Sequence, residues 1–295
     1  MMSRIALFFV RLYGLKPWWV VRIDIQIAAF LLTYVYGYRR KVIRQNLKLV
    51  GANGVSEFGI YKNLSSLAFE SFKLHSASIE SVASRVSYEN LNVLHQLFAK
   101  GRNVVLVGGH MANWEMFSLS LPKNVEFKTY AVYKKLNNHI FNKAIRNSRS
   151  RAGMKIVGIN DLRSIIRDDS DKPKLISIVF DQRPLKSQTS IWTEFLGVET
   201  PVYSGIEKIA SMLDASVVFA AIRRQKDSRY VMNLRLVEES VSQNGEVIDK
   251  CLGMLEEEIV KEPESWLWTH RRWKHKRPDK IKLHERRIGK FEGWR

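Results

Sequence analysis

A short β-branched run that leads into two glycines and a histidine constrains this sequence more than any other feature. The run is Val-Val-Leu-Val at residues 104–107, and Gly108, Gly109 and His110 follow it directly. The pattern predicts a buried strand, a tight turn and then a helix that begins near Asn113. The strand end therefore delivers an imidazole into a turn, where it can serve acid–base chemistry.

The carboxylate nearest to this histidine in sequence is Glu115, five residues further on. Two residues five apart on one regular helix would point well away from each other, so His110 has to lie in the turn if the two are to meet. With Glu115 in the first helical turn, its carboxylate is predicted to hold one ring nitrogen of His110 while the other nitrogen faces a substrate hydroxyl. The pair is thus predicted to act as a general base.

Strand and helix patterns alternate from this point to the end of the domain. Strands are predicted at residues 127–133, 175–180 and 217–222, and helices at residues 139–151, 160–167, 203–213 and 245–261. Such alternation predicts an α/β fold with a mostly parallel central sheet covered by helices on both faces. Residues 230–237 follow a short polar turn, which predicts an antiparallel strand at one edge of that sheet.

The charge of the chain is concentrated at its two ends. The chain has 48 basic and 29 acidic residues, which gives a net charge of +19. Residues 1–48 hold nine basic residues and one acidic residue, and residues 270–295 hold eleven basic and three acidic residues. This distribution suits an anionic membrane surface, an acidic carrier protein or a phosphorylated lipid. Nucleic acid is the competing class of partner. Because the excess lies away from the His110 turn, it favours surface attachment, and no nucleic acid is expected to bind.

The N-terminal segment is apolar but interrupted by charges. Its longest run without a charge, residues 25–38, is 14 residues long, whereas about 20 are needed to cross a bilayer. Trp18 and Trp19 resemble interfacial anchors, and no signal-peptide pattern is found. We therefore predict a membrane-associating helical segment at residues 1–48, lying in or dipping into one leaflet, and a catalytic domain with a basic tail at residues 49–295. A pair of core-packing helices is the alternative.

The single cysteine, Cys251, excludes an internal disulfide and indicates a reducing compartment.

The segment Gly-Gly-His-Met-Ala-Asn-Trp-Glu, residues 108–115, resembles the H-x-x-x-x-E signature of the glycerolipid and lipid A acyltransferases. These enzymes move a fatty acyl group from a thioester to a hydroxyl. Residues 38–47 are similar to the Arg-rich segment near the start of such transferases. Residues 263–274, Pro-Glu-Ser-Trp-Leu-Trp-Thr-His-Arg-Arg-Trp-Lys, resemble the ending of the lipid A secondary acyltransferases, the lauroyl and myristoyl transferases of Gram-negative bacteria. The resemblance thus spans residues 38–274.

The resemblance implies substrate-binding residues after the second strand of the pattern. Tyr133 ends that strand, at the rim where open α/β sheets bind ligands. Asn138 and Arg149 match the family block that pairs an Asn with an Arg shortly before a Gly, with Arg151 as a second choice. Arginines at that rim are expected to hold phosphates, although a solvated helix face is an equally good interpretation of each.

Two further blocks add to the predicted site. Asp181 and Gln182 follow a buried strand and resemble the family's Asp-Gln block, so Asp181 is expected to orient a basic side chain or the acceptor, or else to form a turn. The acid that usually follows in the family is Arg183 here. In the Trp-rich ending, Arg271 and Arg272 are predicted to bind lipid phosphates.

Residues 194–210 resemble a family segment beside the acyl and acceptor sites. Phe195, Leu196 and Val198 are interpreted either as the lining of an acyl-chain pocket or as ordinary core residues.

The function predicted from these residues is transfer of a fatty acyl chain from acyl carrier protein, or acyl-CoA, to a hydroxyl of a lipid A precursor. Gly108 and Gly109 are predicted to allow close backbone approach, and amides of the turn and the following helix to stabilise the oxyanion. The enzyme is expected to work as a monomer, without a cofactor, at the cytoplasmic face of the bacterial inner membrane. The alternatives are acylation of another membrane lipid and a non-catalytic basic module that binds membrane or nucleic acid.

Overall fold

The computed structural model describes residues 2–169, 171–184, 190–286, 288 and 290–294. The strands of this part of the chain are β1 (Val86–Glu89), β2 (Asn103–Gly108), β3 (Lys128–Tyr133), β4 (Lys155–Gly158), β5 (Lys174–Val179), β6 (Ser190–Phe195), β7 (Val198–Tyr203), β8 (Ala215–Arg224) and β9 (Tyr230–Glu238). The α-helices are α1 (Met2–Tyr13), α2 (Trp18–Phe30), α3 (Arg40–Val50), α4 (Glu57–Lys73), α5 (Ile79–Ala83), α6 (Asn92–Ala99), α7 (Phe117–Ser120), α8 (His139–Arg149), α9 (Arg163–Ile166), α10 (Gly205–Met212) and α11 (Glu246–Lys261). Single 3-10 turns lie at Trp114–Met116, Leu121–Lys123, Ile159–Asp161, Lys226–Ser228 and Pro263–Ser265.

The centre of the described structure is a seven-stranded sheet with the order β1-β9-β8-β2-β5-β3-β4. All neighbouring strands pair in parallel except β8 and β9. The predicted α/β fold with a mostly parallel sheet is therefore confirmed. The antiparallel pairing of β9 is also confirmed, but its predicted place at the edge is wrong, because β1 pairs with its outer side. This edge strand is only four residues long and largely exposed, so the sequence carries little signal for it.

Strand β2 shows why both faces of the sheet are covered. Successive side chains of a strand point to opposite faces. Val105 and Val107 belong to one core cluster, which includes α10 and α11, whereas Val104 and Leu106 belong to a second cluster on the other face. All four side chains are buried. The continuous apolar run of β2 thus satisfies two cores at once, as expected for a central parallel strand.

The segment after β2 is less regular than the predicted helix. A 3-10 turn at Trp114–Met116, the four-residue helix α7 and a second 3-10 turn follow one another. Ala112 has a positive φ of 48°, and the Asn113 side chain accepts a hydrogen bond from the Glu115 amide at 3.2 Å. The Asn113 side chain therefore caps the 3-10 turn, and the α-helix that follows β2 begins only at Phe117.

Strands β6 and β7 form a hairpin that the sequence did not predict. Its two-residue turn, Leu196-Gly197, has positive φ angles of 51° and 73°, which is the geometry of a tight hairpin turn. Phe195 and Leu196 are fully buried in the main core cluster. Of the two interpretations of these residues, core packing is the one found.

The N-terminal helices lie against the domain on one side and expose apolar residues on the other. Helix α2 continues as a π-helix, Leu31–Tyr36, and the 19 residues Trp18–Tyr36 are long and apolar enough, by length and composition alone, to cross a membrane. The sequence prediction underestimated the length of this helix. It counted only the 14 residues without a charge, whereas Arg22 and Asp24 also lie within the helix. Exposed large apolar side chains here include Phe8, Phe9, Trp19, Tyr34 and Tyr36.

Several buried polar contacts tie this segment to the domain. Lys73 donates from its ammonium to the carbonyl of Gly14 at 2.8 Å, and the Trp18 indole donates to Ser81 at 3.2 Å. The predicted boundary after residue 48 falls inside α3, whose Asn46 amide donates to the carbonyl of Trp268 at 2.8 Å. Helix α3 is therefore bonded directly to the Trp-rich ending. The predicted membrane role of residues 1–48 stays a prediction.

Candidate active site

His110 lies in the turn directly after β2, as the spacing predicted. Its ring Nδ1 is 2.5 Å from Oδ1 of Asp181, and its backbone amide donates to Oδ2 of the same carboxylate at 2.9 Å. Asp181 comes two residues after β5, the strand that pairs in parallel with β2. Because parallel neighbours end at the same edge of a sheet, the pairing of β2 with β5 brings the imidazole and the carboxylate together.

The Asp181 carboxylate is almost completely buried, at 4% exposure. Its Oδ2 also accepts a hydrogen bond from the Trp266 indole at 2.7 Å. Burial by itself would raise the pKa of Asp181, but the charge and hydrogen bonds of His110 and the Trp266 indole outweigh it and lower the pKa to about 2. Asp181 is therefore ionised at neutral pH.

The other ring nitrogen of His110 faces the exposed side of the site. The side-chain amide nitrogen of Gln182 lies 3.0 Å from His110 Nε2. The ionised Asp181 carboxylate can only accept, so Nδ1 carries the proton that His110 donates to it, and Nε2 is the nitrogen that accepts from the Gln182 amide. The ring also packs edge-on against Trp114, with centroids 4.6 Å apart. A substrate hydroxyl that takes the place of the Gln182 amide would meet the lone pair of Nε2 on the exposed side of the ring.

The predicted contact between Glu115 and His110 is wrong. Glu115 instead forms a bidentate ion pair with Arg149, whose Nε donates to Oε2 at 2.7 Å and whose Nη2 donates to Oε1. The two side chains are 15% and 21% exposed. Helix α8 brings Arg149 to this position, and its paired guanidinium fork matches a carboxylate far better than a single imidazole nitrogen does. Arg149, predicted to bind substrate phosphate, is thereby committed to Glu115.

The two glycines permit the close packing behind His110. A Cβ on Gly109 would lie 2.4 Å from a methyl carbon of Leu255, and a Cβ on Gly108 would lie 3.1 Å from the carbonyl of Ala220. A larger residue at position 109 would therefore have to displace the end of the Leu255 side chain, and one at position 108 would press against the backbone of Ala220. The amides proposed for the oxyanion are partly used elsewhere, since those of His110 and Glu115 donate to Asp181 and Asn113.

The other residues after β3 that were predicted to bind substrate are Tyr133, Asn138 and Arg151, and each has different surroundings. The Tyr133 hydroxyl is buried without a hydrogen-bond partner among the described residues. Asn138 caps α8, and its side-chain oxygen accepts from the amides of Ile140 and Phe141. Arg151 donates to the carbonyls of Leu74 and Ala77 at 2.7 and 2.8 Å. Arg151 thus ties the end of α4 to α8, so its predicted role in substrate binding is not the one its contacts support.

The two arginines of the Trp-rich ending differ sharply. Arg271 is exposed, whereas Arg272 is buried at 1% exposure and donates to the carbonyl of Pro201 at 2.8 Å. Burial lowers the pKa of Arg272 to about 10. A side chain so enclosed cannot reach a lipid phosphate in this structure, so that prediction is wrong for Arg272. Burial, together with the charge of Arg272, also lowers the pKa of His270 to about 4.

A buried carboxylate that the sequence did not single out connects the turn to α4. Glu70 is fully buried and accepts from the Asn113 side-chain amide at 3.0 Å, from Arg224 at 2.7 Å and from the hydroxyl of Tyr230. Its place on an amphipathic helix gave no signal of this role. The bond from the Trp266 indole to Asp181 was not predictable either, because the two residues are far apart in sequence.

A cavity of about 160 Å³ lies beside the Glu115–Arg149 pair, between α1, α4 and α8. Apolar side chains form most of its wall, among them Leu7, Val10, Phe72, Phe141 and Ile145. Among the residues that the structure describes, no three His, Cys, Asp or Glu side chains are arranged to hold a metal ion.

Comparison with known proteins gives a family for this arrangement. A search of curated protein sequences found no match. Residues 3–275 match the family described as bacterial lipid A biosynthesis acyltransferase. The match begins in α1 and ends just after the Trp-rich segment, so it includes the N-terminal helices, the His110 turn and Asp181. The chain therefore belongs to the bacterial lipid A biosynthesis acyltransferase family and is an acyltransferase.

Proposed function

We propose that this enzyme transfers a fatty acyl group from a thioester donor, acyl carrier protein or acyl-CoA, to a hydroxyl of a lipid A precursor. The observation that carries the proposal is the contact of His110 Nδ1 with the buried carboxylate of Asp181, which assigns the ring proton to Nδ1 and leaves Nε2, beside Gln182 on the exposed side, as the basic nitrogen. An imidazole in this state can take the proton of an attacking hydroxyl.

The reaction needs no covalent enzyme intermediate. The acceptor oxygen attacks the thioester carbonyl while Nε2 of His110 takes its proton, and a tetrahedral oxyanion forms. Collapse of this intermediate breaks the carbon–sulfur bond, and the imidazolium returns its proton to the departing thiolate. Asp181 carries a full negative charge in a buried setting, so it stabilises the imidazolium that forms and holds the ring in its orientation.

The cavity between α1, α4 and α8 suits the apolar part of the donor or acceptor. Its volume of about 160 Å³ has room for part of a fatty acyl chain, since a water-sized group needs about 30 Å³. In this proposal the Glu115–Arg149 pair forms the polar wall of that cavity and holds α8 against the His110 turn.

The proposed setting is the cytoplasmic face of the inner membrane. The exposed apolar side chains of α1 and α2 suit contact with acyl chains, and the basic ends of the chain suit anionic lipid and an acidic carrier protein. The enzyme is proposed to act there as a monomer and without a cofactor.

The test is acyl transfer by purified His110→Ala with acyl carrier protein thioester and a lipid A precursor. We expect the rate to fall by about a thousandfold or more, because the base is lost, while the variant still unfolds cooperatively, at a lower temperature than wild type because the buried Asp181 carboxylate loses a partner. His95→Ala is the matched control, since His95 is an exposed imidazole on α6 that contacts Glu126. Near-normal transfer by folded His110→Ala would end the proposal.

A further inference from the structure

A second, larger recess lies at the side of the domain, between α2, α4 and the turn that joins β8 to β9. We call it the basic cleft. It has a volume of about 760 Å³ and is lined by polar groups that include Arg22, Lys62, Arg224, Lys226, Asp227 and Ser228. None of these residues takes part in the chemistry proposed for His110.

The basic cleft carries two positive charges that no carboxylate among the described residues offsets, those of Lys62 and Lys226, whereas Arg224 is paired with Glu70. Four basic side chains and one carboxylate line it, and the carboxylate of Asp227 is paired with Arg22. Neither the ammonium of Lys62 nor that of Lys226 has a hydrogen-bond or ion-pair partner within the described part of the chain. The uncompensated charge points to an anionic ligand.

Two buried donors in the cleft lack partners. Ser228 is only 2% exposed, and its hydroxyl is buried with no hydrogen-bond partner among the described residues. Arg224 gives one Nη nitrogen to Glu70 at 2.7 Å, but its other Nη nitrogen is buried and unpaired in the same described part. Buried donors are normally satisfied in native proteins. A hydroxyl and a guanidinium left open beside free ammonium groups match the several acceptor oxygens of a phosphate.

The basic cleft is close to the catalytic turn. Strand β8 runs parallel to β2, with Phe219 paired to Val107, and continues for five more residues to Arg224, beyond the end of β2 that leads to His110. The Glu70 carboxylate joins the two places directly, since it accepts from Arg224 and from Asn113 in the His110 turn. A ligand that contacts Arg224 in the cleft is therefore linked to the His110 turn through the carboxylate of Glu70.

The cleft also borders the apolar surface of α2. Ile23 and Ile27 are half exposed on this helix, and Arg22 and Gln26, one residue before each, line the cleft. A cleft wall shared with a helix that presents apolar side chains to solvent suits a ligand with a charged head and an apolar body.

We propose that the basic cleft binds the phosphate monoester of a lipid headgroup, and that this lipid is the acyl acceptor. The inference rests on the proposed function, since only then does a lipid hydroxyl have to reach His110. The phosphate would accept hydrogen bonds from Lys62, Lys226, Ser228 and Arg224 and would hold the headgroup against the catalytic turn.

The first test measures binding without turnover, in the His110→Ala protein. Phosphatidylcholine vesicles containing phosphatidic acid, phosphatidylglycerol or diacylglycerol are compared at equal amounts of protein. We expect phosphatidic acid vesicles to bind about tenfold more tightly than the others, and Lys62→Ala/Lys226→Ala to remove this preference. The control is Lys123→Ala/Lys208→Ala, which removes the same charge from exposed positions away from the cleft and should keep the preference.

Three results would overturn the proposal. Equal binding of all vesicles by the cleft and control variants would leave no role for the cleft. Binding of phosphatidylglycerol as tight as that of phosphatidic acid, with an equal loss of affinity in the cleft variant, would indicate attraction by overall charge. Competition by inorganic phosphate alone at the same concentration as the lipid would indicate a site for a free anion. Ser228→Ala, which changes no charge, should weaken the phosphatidic acid preference about threefold.

The second test uses the active enzyme with a phosphorylated acceptor and the same acceptor after phosphatase treatment. We expect removal of the phosphate to raise the KM for the acceptor about tenfold in wild type and much less in Lys62→Ala/Lys226→Ala. Equal transfer to both acceptors by wild type would overturn the cleft alone. Transfer to neither would overturn the proposed function, while the binding result in His110→Ala would still stand.

Discussion

The carboxylates of Asp181 and Glu115 both lie near the His110 turn, and they occupy opposite kinds of surroundings. Asp181 is buried against a single imidazole and an indole, where its donors are the His110 amide, the His110 ring and Trp266. Glu115 is partly open to solvent and bound on both oxygens by one guanidinium, that of Arg149. Asp181 is therefore placed to tune a ring nitrogen, whereas Glu115 is placed to fix one helix against another.

Proximity in sequence therefore does not select the carboxylate that His110 contacts. Five residues separate His110 from Glu115, and 71 separate it from Asp181. His110 and Asp181 meet despite their separation in sequence, because β2 and β5 are hydrogen-bonded parallel neighbours that end at the same edge of the sheet. The H-x-x-x-x-E spacing marks the turn, but in this structure it does not mark the contact.

The largest expected effect that separates the two carboxylates is on catalysis by Asp181→Asn. The amide can present an NH2 group to His110 and favour the wrong tautomer, so kcat/KM should fall about a thousandfold, on the order of 4 kcal/mol of activation free energy. Steady-state kinetics with a thioester donor measure it. A loss of less than about fivefold would show that the carboxylate does not act on the ring.

A smaller and different effect is expected for Glu115→Gln. The change leaves the Arg149 guanidinium half-buried without its charge partner, so the free energy of unfolding should fall by about 2 kcal/mol. The rate at a temperature where the variant is folded should stay within about tenfold of wild type. Urea unfolding and kinetics on the same preparation separate the two readouts. A loss of rate as large as that of Asp181→Asn, without a loss of stability, would reverse the assignment of the two carboxylates.

The smallest expected effect is a pH dependence of stability that belongs to Asp181. Its pKa is lowered from an ordinary value of 3.8 to about 2 in the folded protein, so its charge stabilises the fold above about pH 4 and this contribution is lost as the pH falls toward 2. The contribution amounts to about 2 kcal/mol. The stability difference between wild type and Asp181→Asn, measured by urea unfolding, should shrink over that range. A difference that stays constant would show that the Asp181 charge is not stabilised by folding.

Much of the fold was predictable because its strands carry strong local signals. The apolar runs of β2 and of the segment before Asp181 each predict a buried strand. The carboxyl ends of parallel strands meet at one edge of the sheet. His110 and Asp181 could therefore both be placed at the rim. Strand β1 and the β6–β7 hairpin escaped because one is short and mostly exposed and the other depends on a two-residue turn at Leu196.

The pairing of side chains at the site was not predictable in the same way. Whether Arg149 reaches a substrate or Glu115 depends on how α8 packs, and whether Arg272 faces lipid or core depends on the hairpin it contacts through Pro201. Both are tertiary outcomes that leave no local pattern. The Glu70 network is of the same kind, because its donors come from the His110 turn and from β8 and β9.

The most direct test of the central claim, that Asp181 orients His110, is the ring tautomer itself. Nitrogen-15 NMR of histidine-labelled protein at neutral pH reports which ring nitrogen carries the proton, and the His110 signals are assigned by their absence in His110→Ala. We predict an Nδ1-protonated ring in wild type and in Glu115→Gln, and loss of that state in Asp181→Asn. An unchanged ring in Asp181→Asn together with a changed ring in Glu115→Gln would contradict the account.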